Sequence, residues 1–376
     1  MVQPTRGPVE LFIPEVEAFG GAERSVLALS HWLHGRHIAN RLLVYEDRIG
    51  LASYAGHAVE VLQLKPRHTA RAKVAALRHH LRGRDARDLL ASGYQPALHA
   101  TLAGARGFHC LMHDTPALFG DEATRTPLHR LRIRLSNLLI GVGLRSGGAT
   151  VVTSEFLRGE CRRDFRVAAH IARMGGLPAP GGFRERPFDG TLRMLSVCRI
   201  EANKRIDWIL DALAALESEQ PGLSARADWR LELAGKGSLI EALQAQAQRL
   251  GIADRVHFHG FVSDAQLQAL MADASLFLMP AVQGFGIPAV EAIQAGIPVL
   301  LHRESGVSDI LLQTPWATVF EGGPADMVQP LRHAVQGVIR GSALGQPLPH
   351  IPTEAEWAGR VAELCGWVRQ PAGYIL

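Results

Sequence analysis

The feature that most constrains the fold is a repeated alternation of a short apolar strand, a loop and an amphipathic helix, with few hairpin signals. Because helices join consecutive strands, this alternation predicts an α/β protein with parallel sheets wrapped by helices. The predicted strands are 9–13, 41–45, 59–64, 97–101, 110–113, 149–153, 192–198, 230–233, 256–258, 276–279, 299–301 and 318–320. The predicted helices are 22–34, 70–81, 128–141, 155–163, 205–216, 239–249, 264–273, 288–295, 307–312 and 353–368.

The length of 376 residues suits two domains rather than one. Residues 174–190 are rich in glycine and proline and lack periodicity, which is typical of a linker. We therefore predict a doubly wound domain over 1–180, a second over 181–352, and a terminal helical segment over 353–376. Ligands of such sheets bind outside the carboxyl ends of the strands, so a cleft between the domains is the expected site.

Composition narrows the function classes. The sequence has no uninterrupted stretch of about 18 apolar residues, so we expect no membrane-spanning helix. The N-terminus lacks the apolar core of a signal peptide. The four cysteines are far apart, which favours reduced thiols in a cytoplasmic protein. The sequence has neither the Cys/His spacing of a metal site nor an Asp-x-Asp pair. We therefore expect no metal site and no cofactor.

The charge is unevenly distributed. Residues 1–190 carry 26 basic and 17 acidic residues, whereas residues 191–376 carry 14 and 19. Within 125–145, arginines flank an apolar helical pattern, which fits an anionic membrane surface. A solvated arginine-rich face is an equal alternative. A second basic run extends over residues 65–87. Nucleic acid is the least favoured partner, because no aromatic residues interleave with that run.

The most informative segment is 276–298. An apolar strand stops at Pro280, the glycine-rich turn Gly284-Phe-Gly286 follows, and Pro288 stands where the first turn of a helix tolerates proline. Glu291 falls in or next to that first turn. Free backbone N–H groups, a helix N-terminus and one carboxylate therefore converge, which suits an anionic, hydroxyl-rich ligand such as a sugar nucleotide.

Other polar groups follow predicted strands. Two cations, Arg199 and Lys204, flank a turn before a helix and could neutralise a diphosphate. The alternative is that Lys204 and Arg205 are solvated and that Arg199 pairs with Glu201. The remaining candidates at strand ends are Gly20 and Gly21, His113, Lys236, the loop 259–263 with Val262, His302, and Ser305. His113 could bind a hydroxyl or be a structural histidine.

These motifs resemble those of the retaining glycosyltransferases with the GT-B fold, family 4. The resemblance rests on Gly20-Gly-Ala-Glu23, on Arg199 and Lys204, and on Gly284-Phe-Gly286 with Glu291. It implies two Rossmann-like domains facing a cleft, with the last helix crossing back to the first domain. The implied roles are a diphosphate clamp (Arg199, Lys204), ribose binding (Glu291), donor-sugar binding (Gln283, Phe285, Gly286), base contact (Val262), phosphate or sugar approach (Gly20, Gly21, Lys236) and acceptor contact (His113).

One position departs from the family pattern, in which two glutamates stand eight residues apart. The second is Glu291, but the first is Gln283. An amide is a poor nucleophile for a glycosyl-enzyme route, so front-face transfer is the expected mechanism. The resemblance implies a metal-independent hexosyltransferase that uses a UDP- or GDP-sugar and a glycan or lipid-linked acceptor at the inner face of the plasma membrane. A catalytically silent sugar-nucleotide-binding subunit and a nucleotide-sugar epimerase are the alternatives.

Overall fold

The computed structural model describes residues 7–17, 19–114, 126–175, 182–219 and 228–368. The chain divides into two compact units: unit 1 comprises 1–175 together with 352–376, and unit 2 comprises 176–351. The predicted domain boundary between 180 and 181 falls within 176–181, outside the described residues.

Unit 1 contains a parallel sheet whose strands run in the order β5-β3-β1-β6-β7-β8-β9 among the described residues. A short parallel pair, β2 and β4, lies beside it. The strands are β1 (Val9–Phe12), β2 (Glu15–Val16), β3 (Asn40–Val44), β4 (Glu46–Asp47), β5 (Glu60–Gln63), β6 (Leu89–Ser92), β7 (His109–Met112), β8 (Thr150–Val152) and β9 (His170–Ile171). Every residue of β1, β6, β7 and β8 is buried, as expected for a parallel sheet covered on both faces.

The helices of unit 1 cover this sheet. They are α1 (Gly21–His34), α2 (Ala70–Leu81), α3 (Tyr94–Ala103), α4 (Pro127–Leu144), α5 (Glu155–Phe165) and, at the end of the chain, α12 (Glu354–Leu364). The strand predicted at 97–101 is wrong, because those residues lie within α3. The strand of this region is instead β6, and Gly93, with φ of +107°, makes the turn between the two elements.

The last helix packs on the first. Trp357 and Val361 of α12 are buried, and α12 contacts α1. Glu354 accepts a hydrogen bond from Arg24 at 2.9 Å. The two helices pack tightly at Gly359, where a Cβ would lie 3.1 Å from the Trp32 ring. The predicted return of the C-terminal helix to the first domain is thereby confirmed.

Unit 2 contains a second parallel sheet, in the order β12-β11-β10-β13-β14-β15 among its described residues. Its strands are β10 (Thr191–Val197), β11 (Asp228–Ala234), β12 (Val256–Gly260), β13 (Leu276–Met279), β14 (Val299–His302) and β15 (Ala317–Phe320). Its helices are α6 (Ile206–Glu219), α7 (Ile240–Arg249), α8 (Asp264–Asp273), α9 (Ile287–Gln294), α10 (Ser308–Leu311) and α11 (Val328–Arg340). Helix α11 is absent from the predicted helices, and its Leu331 and Val335 belong to the core of unit 2.

Both sheets have the doubly wound topology predicted from the sequence. In each, the strand order reverses beside the first strand: next to β1 in unit 1 and next to β10 in unit 2. A crevice opens at such a switch point, outside the carboxyl ends of the two strands concerned. The loops after β10 and β13, and those after β1 and β6, are therefore the places to look for a site.

Candidate functional site

The segment after β13 folds as the sequence predicts. Met279 ends the strand, Gly286 is the N-cap of α9, Pro288 lies in its first turn, and Gly296 follows the helix with φ of +84°. Gly286 itself has φ of +127°, and a Cβ there would lie 2.8 Å from the Gln283 amide nitrogen. The backbone conformation at 286 therefore requires glycine, and a side chain there would also displace the Gln283 amide.

Gln283 meets a cation from the neighbouring loop. Its Oε1 accepts a hydrogen bond from Lys204 Nζ at 2.6 Å. Its Nε2 donates to Ser305 Oγ at 3.2 Å and to Met279 Sδ at 2.8 Å. Lys204 follows β10, Gln283 follows β13, and these two strands are neighbours at the switch point. The structure thus joins two predicted residues at the expected crevice.

The backbone holds this loop firmly. Gln283 N–H donates to Glu304 O at 3.2 Å, and Gln283 O accepts from Gly306 N–H at 3.0 Å. Phe285 O accepts from Val307 N–H at 2.9 Å. In the described part of the chain, the N–H groups of Phe285 and Gly286 donate to no other group. Two amides at the start of α9 thus keep their donors available for a ligand.

Arg199 and Lys204 supply positive charge beside this turn. Burial lowers the pKa of the Lys204 ammonium, and the charge of Arg199 acts in the same direction. Arg199 is exposed, and its guanidinium bonds to no group among the described residues. The alternative pairing with Glu201 does not occur, because Glu201 instead accepts from Ser238 Oγ at 2.9 Å.

The loop after β11 presses against the loop after β10. A Cβ at Gly235 would lie 1.7 Å from Cys198 O, and a Cβ at Gly237 would lie 1.9 Å from Ile200 O. Between these glycines, Lys236 O accepts from Ile200 N–H at 2.8 Å. The glycines therefore allow two backbones to approach at the carboxyl edge of the sheet.

Lys236 Nζ lies 5.0 Å from the centre of the Phe261 ring, which is 73% exposed. Val262, next to that ring, is half-buried in the loop after β12. Glu291 stands at the fifth position of α9, after the first turn, and is also half-buried. The roles predicted for Lys236, Val262 and Glu291 stay predictions.

His302 has a structural role. Its Nε2 lies 3.2 Å from Gly322 O, and its ring packs against Trp208 and Phe320. The neighbouring Arg205 donates to Glu304 at 2.6 Å and lies over the Trp208 ring. These contacts brace the loops after β10 and β14 rather than leaving Arg205 solvated.

Unit 1 has its own cluster at its switch point. Gly20 is the N-cap of α1, and its N–H donates to the Glu23 carboxylate at 3.0 Å. Glu23 therefore caps the helix that Gly21 begins. His113, directly after β7, has its Nε2 3.0 Å from Ser92 Oγ and 3.5 Å from Ser25 Oγ.

Burial lowers the pKa of His113 to about 4, so the imidazole is neutral near pH 7. A neutral ring held by hydroxyl groups can exchange hydrogen bonds with a polyol. The structure thus brings His113 together with two serines, Ser25 and Ser92, that sequence reasoning missed.

Two residues of unit 2 were missed as well. Met279 contacts the Gln283 amide, and Asn203 donates a hydrogen bond to Val282 O at 3.2 Å. No motif distinguishes such residues, because their role comes only from the folded neighbourhood.

Two absences hold for the residues that the structure describes. No group of three His, Cys, Asp or Glu side chains there could hold a metal ion. No helix in the same ranges is both long and apolar enough to cross a bilayer.

Comparison with known proteins finds a family match over part of the chain and a shared fold over most of it. The family described as glycosyl transferases group 1 matches residues 183–330. A GDP-mannose-dependent alpha-(1-6)-phosphatidylinositol monomannoside mannosyltransferase of Mycolicibacterium smegmatis is 31% identical over 165 residues, 39% of this chain and 42% of that protein. A GDP-mannose:cellobiosyl-diphosphopolyprenol alpha-mannosyltransferase of Komagataeibacter xylinus is 35% identical over 141 residues, 36% of this chain and 32% of that protein. The matches thus span less than half the length of these relatives.

The likeness in structure extends further along the chain. WaaG, a glycosyltransferase involved in lipopolysaccharide biosynthesis, superposes with a TM-score of 0.67 over 95% of this chain and 99% of its own, at 18% identity. At that identity the similarity concerns the fold. The chain therefore has the two-domain GT-B fold, and its residues 183–330 match the glycosyl transferases group 1.

Proposed function

We propose that the protein is a retaining glycosyltransferase that moves a mannose- or glucose-type hexose from a UDP- or GDP-sugar to a glycan or lipid-linked acceptor. The observation that carries the proposal is the contact of Lys204 with Gln283 at the switch point of unit 2, with the exposed guanidinium of Arg199 in the same loop as Lys204. Both relatives described above are named for GDP-mannose, which makes it the first donor to test.

The charges of unit 2 suit a nucleoside diphosphate as the leaving group. Lys204 and Arg199 are both cationic, and the amides of Phe285 and Gly286 stand at the positive end of α9. Donors already in position stabilise charge that develops on a departing diphosphate. We therefore assign this charge stabilisation to the protein's own groups and include no metal ion in the proposal.

The chemistry follows from the amide of Gln283, which is too weak a nucleophile for a glycosyl-enzyme intermediate. In the proposed reaction the bond from the anomeric carbon to the diphosphate oxygen breaks, and a bond to the acceptor oxygen forms on the same face. The proton of the acceptor hydroxyl passes to the departing phosphate oxygen. Gln283 orients a donor-sugar hydroxyl, Glu291 binds the ribose, and Lys236 and Val262 lie near the nucleotide.

In unit 1, the neutral imidazole of His113 is proposed to bind a hydroxyl of the acceptor or of the donor sugar. Gly20 and Gly21 allow close approach of a ligand to the start of α1. A lipid-linked acceptor would bring the protein to a membrane. We accordingly propose that it works in the cytoplasm, peripherally at the inner face of the plasma membrane, in polysaccharide or glycolipid biosynthesis.

The test combines donor binding with transfer. GDP-mannose, UDP-glucose and related donors are screened for thermal stabilisation, and transfer is measured from the stabilising donor to a polyprenyl-diphosphate-linked sugar. Arg199→Ala should lower transfer about 100-fold, in the range seen when one charge-stabilising donor is removed. Arg249→Ala, a matched exposed arginine at the end of α7, should leave both readouts unchanged. Failure of every donor to stabilise the protein would overturn the proposal.

A second candidate is a catalytically silent sugar-nucleotide-binding subunit, and the observation that favours it is the amide at Gln283 in place of a carboxylate. The two candidates differ in turnover. Donor binding without any transfer or donor hydrolysis would support the silent subunit. Slow donor hydrolysis that disappears in Arg199→Ala would support the enzyme.

A further inference from the structure

Helix α4 carries an apolar stripe that faces solvent. Leu128, Leu131, Leu135, Leu138 and Val142 are 77, 63, 56, 57 and 42% exposed, respectively. Their spacing of three and four residues aligns them along one side of the helix. Over 18 residues, α4 extends roughly 27 Å at 1.5 Å per residue. Most exposed apolar residues of soluble proteins occur singly, so a continuous stripe of this length indicates an interaction surface.

The opposite side of α4 anchors it to unit 1. Ile140 and Leu144 are buried, and the helix packs against α3 and α5. The close contact with α3 requires glycine at 143, because a Cβ there would lie 1.8 Å from Thr101 Oγ1. The stripe is therefore presented by a fixed helix and is not needed for the core of unit 1.

Basic residues line both edges of the stripe. At about 100° per residue, Arg132 lies about 80° to one side of the stripe's centre and Arg134 about 80° to the other. Both are exposed, as is Arg130. No acidic residue occurs anywhere in α4. The surface therefore combines an apolar centre with edges of one charge.

This combination decides between two occupants. A second copy of the helix would set arginines against arginines, with no carboxylate on the helix to pair them, and such a pairing is disfavoured. An anionic bilayer offers what the surface lacks: an apolar interior for the leucines and lipid phosphates for the arginines. Arginine side chains can reach the headgroups while their stems stay on apolar surface.

We infer that the exposed face of α4 docks on an anionic phospholipid membrane, with the leucine stripe inserted among the acyl chains and Arg132 and Arg134 at the headgroups. The inference gives the peripheral association in the proposed function a defined surface. It is tested without any transfer reaction, so its failure and the failure of the proposed function are distinguishable.

The experiment measures cosedimentation of the full chain with vesicles of phosphatidylcholine, with and without 30% phosphatidylglycerol (a composition chosen for the anionic surface it provides). We expect binding to the anionic vesicles at about 0.1 M salt and weaker binding at about 0.5 M, where surface charges are screened. For the variant Leu131→Gln/Leu135→Gln, the fraction of protein bound to vesicles should be roughly tenfold lower than for the wild type, or lower still, at both salt concentrations. Arg132→Gln/Arg134→Gln should lose binding chiefly at low salt.

Matched controls separate the face from general changes. Leu102→Gln/Leu348→Gln alters leucines that are 41 and 38% exposed elsewhere and should bind like the wild type. Arg249→Gln should likewise change nothing. Donor-induced thermal stabilisation, measured without vesicles, should be equal in all variants, which shows that unit 2 is intact.

Two results would overturn the inference. One is equal vesicle binding by the wild type and both α4 variants. The other is a wild-type dimer in light scattering that becomes monomeric in Leu131→Gln/Leu135→Gln while no protein binds vesicles. The second result would assign the stripe to a contact between copies of this chain.

Discussion

At the scale of single residues, Gln283 is the hydrogen-bond partner of the Lys204 ammonium in unit 2. Its amide accepts from Lys204 without neutralising it, so the Lys204 charge remains available to an anion. A carboxylate at this position would form an ion pair with Lys204 and favour its ammonium form. The amide nitrogen is held by Ser305 and Met279, so the group is oriented on both sides.

Gln283→Ala should reduce kcat at least tenfold with a smaller effect on stability, because it removes the partner that orients Lys204. Gln283→Glu should keep much of the activity or shift the preferred donor, because the carboxylate still accepts from Lys204. Steady-state kinetics with a panel of donors measures both effects. Gln313→Ala, at an exposed glutamine, is the control. Wild-type rates in Gln283→Ala would exclude a direct contact with the donor.

At the scale of elements, His109 ties two strands together. It begins β7, and its Nδ1 accepts the N–H of Ala149 at 2.9 Å, directly before β8. Its ring packs edge-on against Trp367. Burial lowers the pKa of His109 to about 4, so the folded protein keeps this ring neutral well below pH 6.5.

The lowered pKa of His109 predicts a pH-dependent loss of stability. Below about pH 6.5 the unfolded chain takes up a proton that the folded chain accepts only near pH 4, so acidification favours unfolding. At pH 5 this amounts to about 2 kcal/mol, from 1.36 kcal/mol per pH unit. His109→Asn keeps an acceptor near the Nδ1 position but cannot take up this proton, so the pH-dependent loss should vanish in the variant. The difference in the free energy of unfolding between the wild type and the variant should therefore narrow from pH 7 to pH 5. Urea unfolding measures this, with exposed His350→Asn as the control.

The sequence predicted elements best where apolar periodicity and flanking signals agree. The bounds of β13 and α8 match the prediction, and Pro280 and Ser263 mark the end of the one and the N-cap of the other. The prediction failed at α3, because its alanine- and leucine-rich sequence has almost no amphipathic pattern. Glycine and proline signals located the loop at 280–286. The residues that hold Gln283 in place could not be predicted, because they depend on packing between loops distant in sequence.

At the scale of the whole molecule, chain order and spatial order differ. The last helix, α12, belongs to unit 1 although all of unit 2 precedes it. Backbones meet closely where the chain leaves and re-enters unit 1, since a Cβ at Gly175 would lie 2.2 Å from the Thr353 carbonyl carbon. Unit 1 is therefore completed only after residues 176–351 have been synthesised.

This dependence predicts that a cavity in α12 weakens unit 1. Trp357 is 1% exposed, and Trp357→Ala should cost about 3–5 kcal/mol, the usual range for removing a buried tryptophan. Hydrogen exchange followed by mass spectrometry should show lost protection in β1, β6 and α1, with unit 2 unchanged. Trp316→Ala, at a tryptophan 2% exposed in unit 2, should give the reverse pattern. Equal loss of protection in both units from either variant would contradict this prediction, because it would mean that the chain unfolds as one cooperative body.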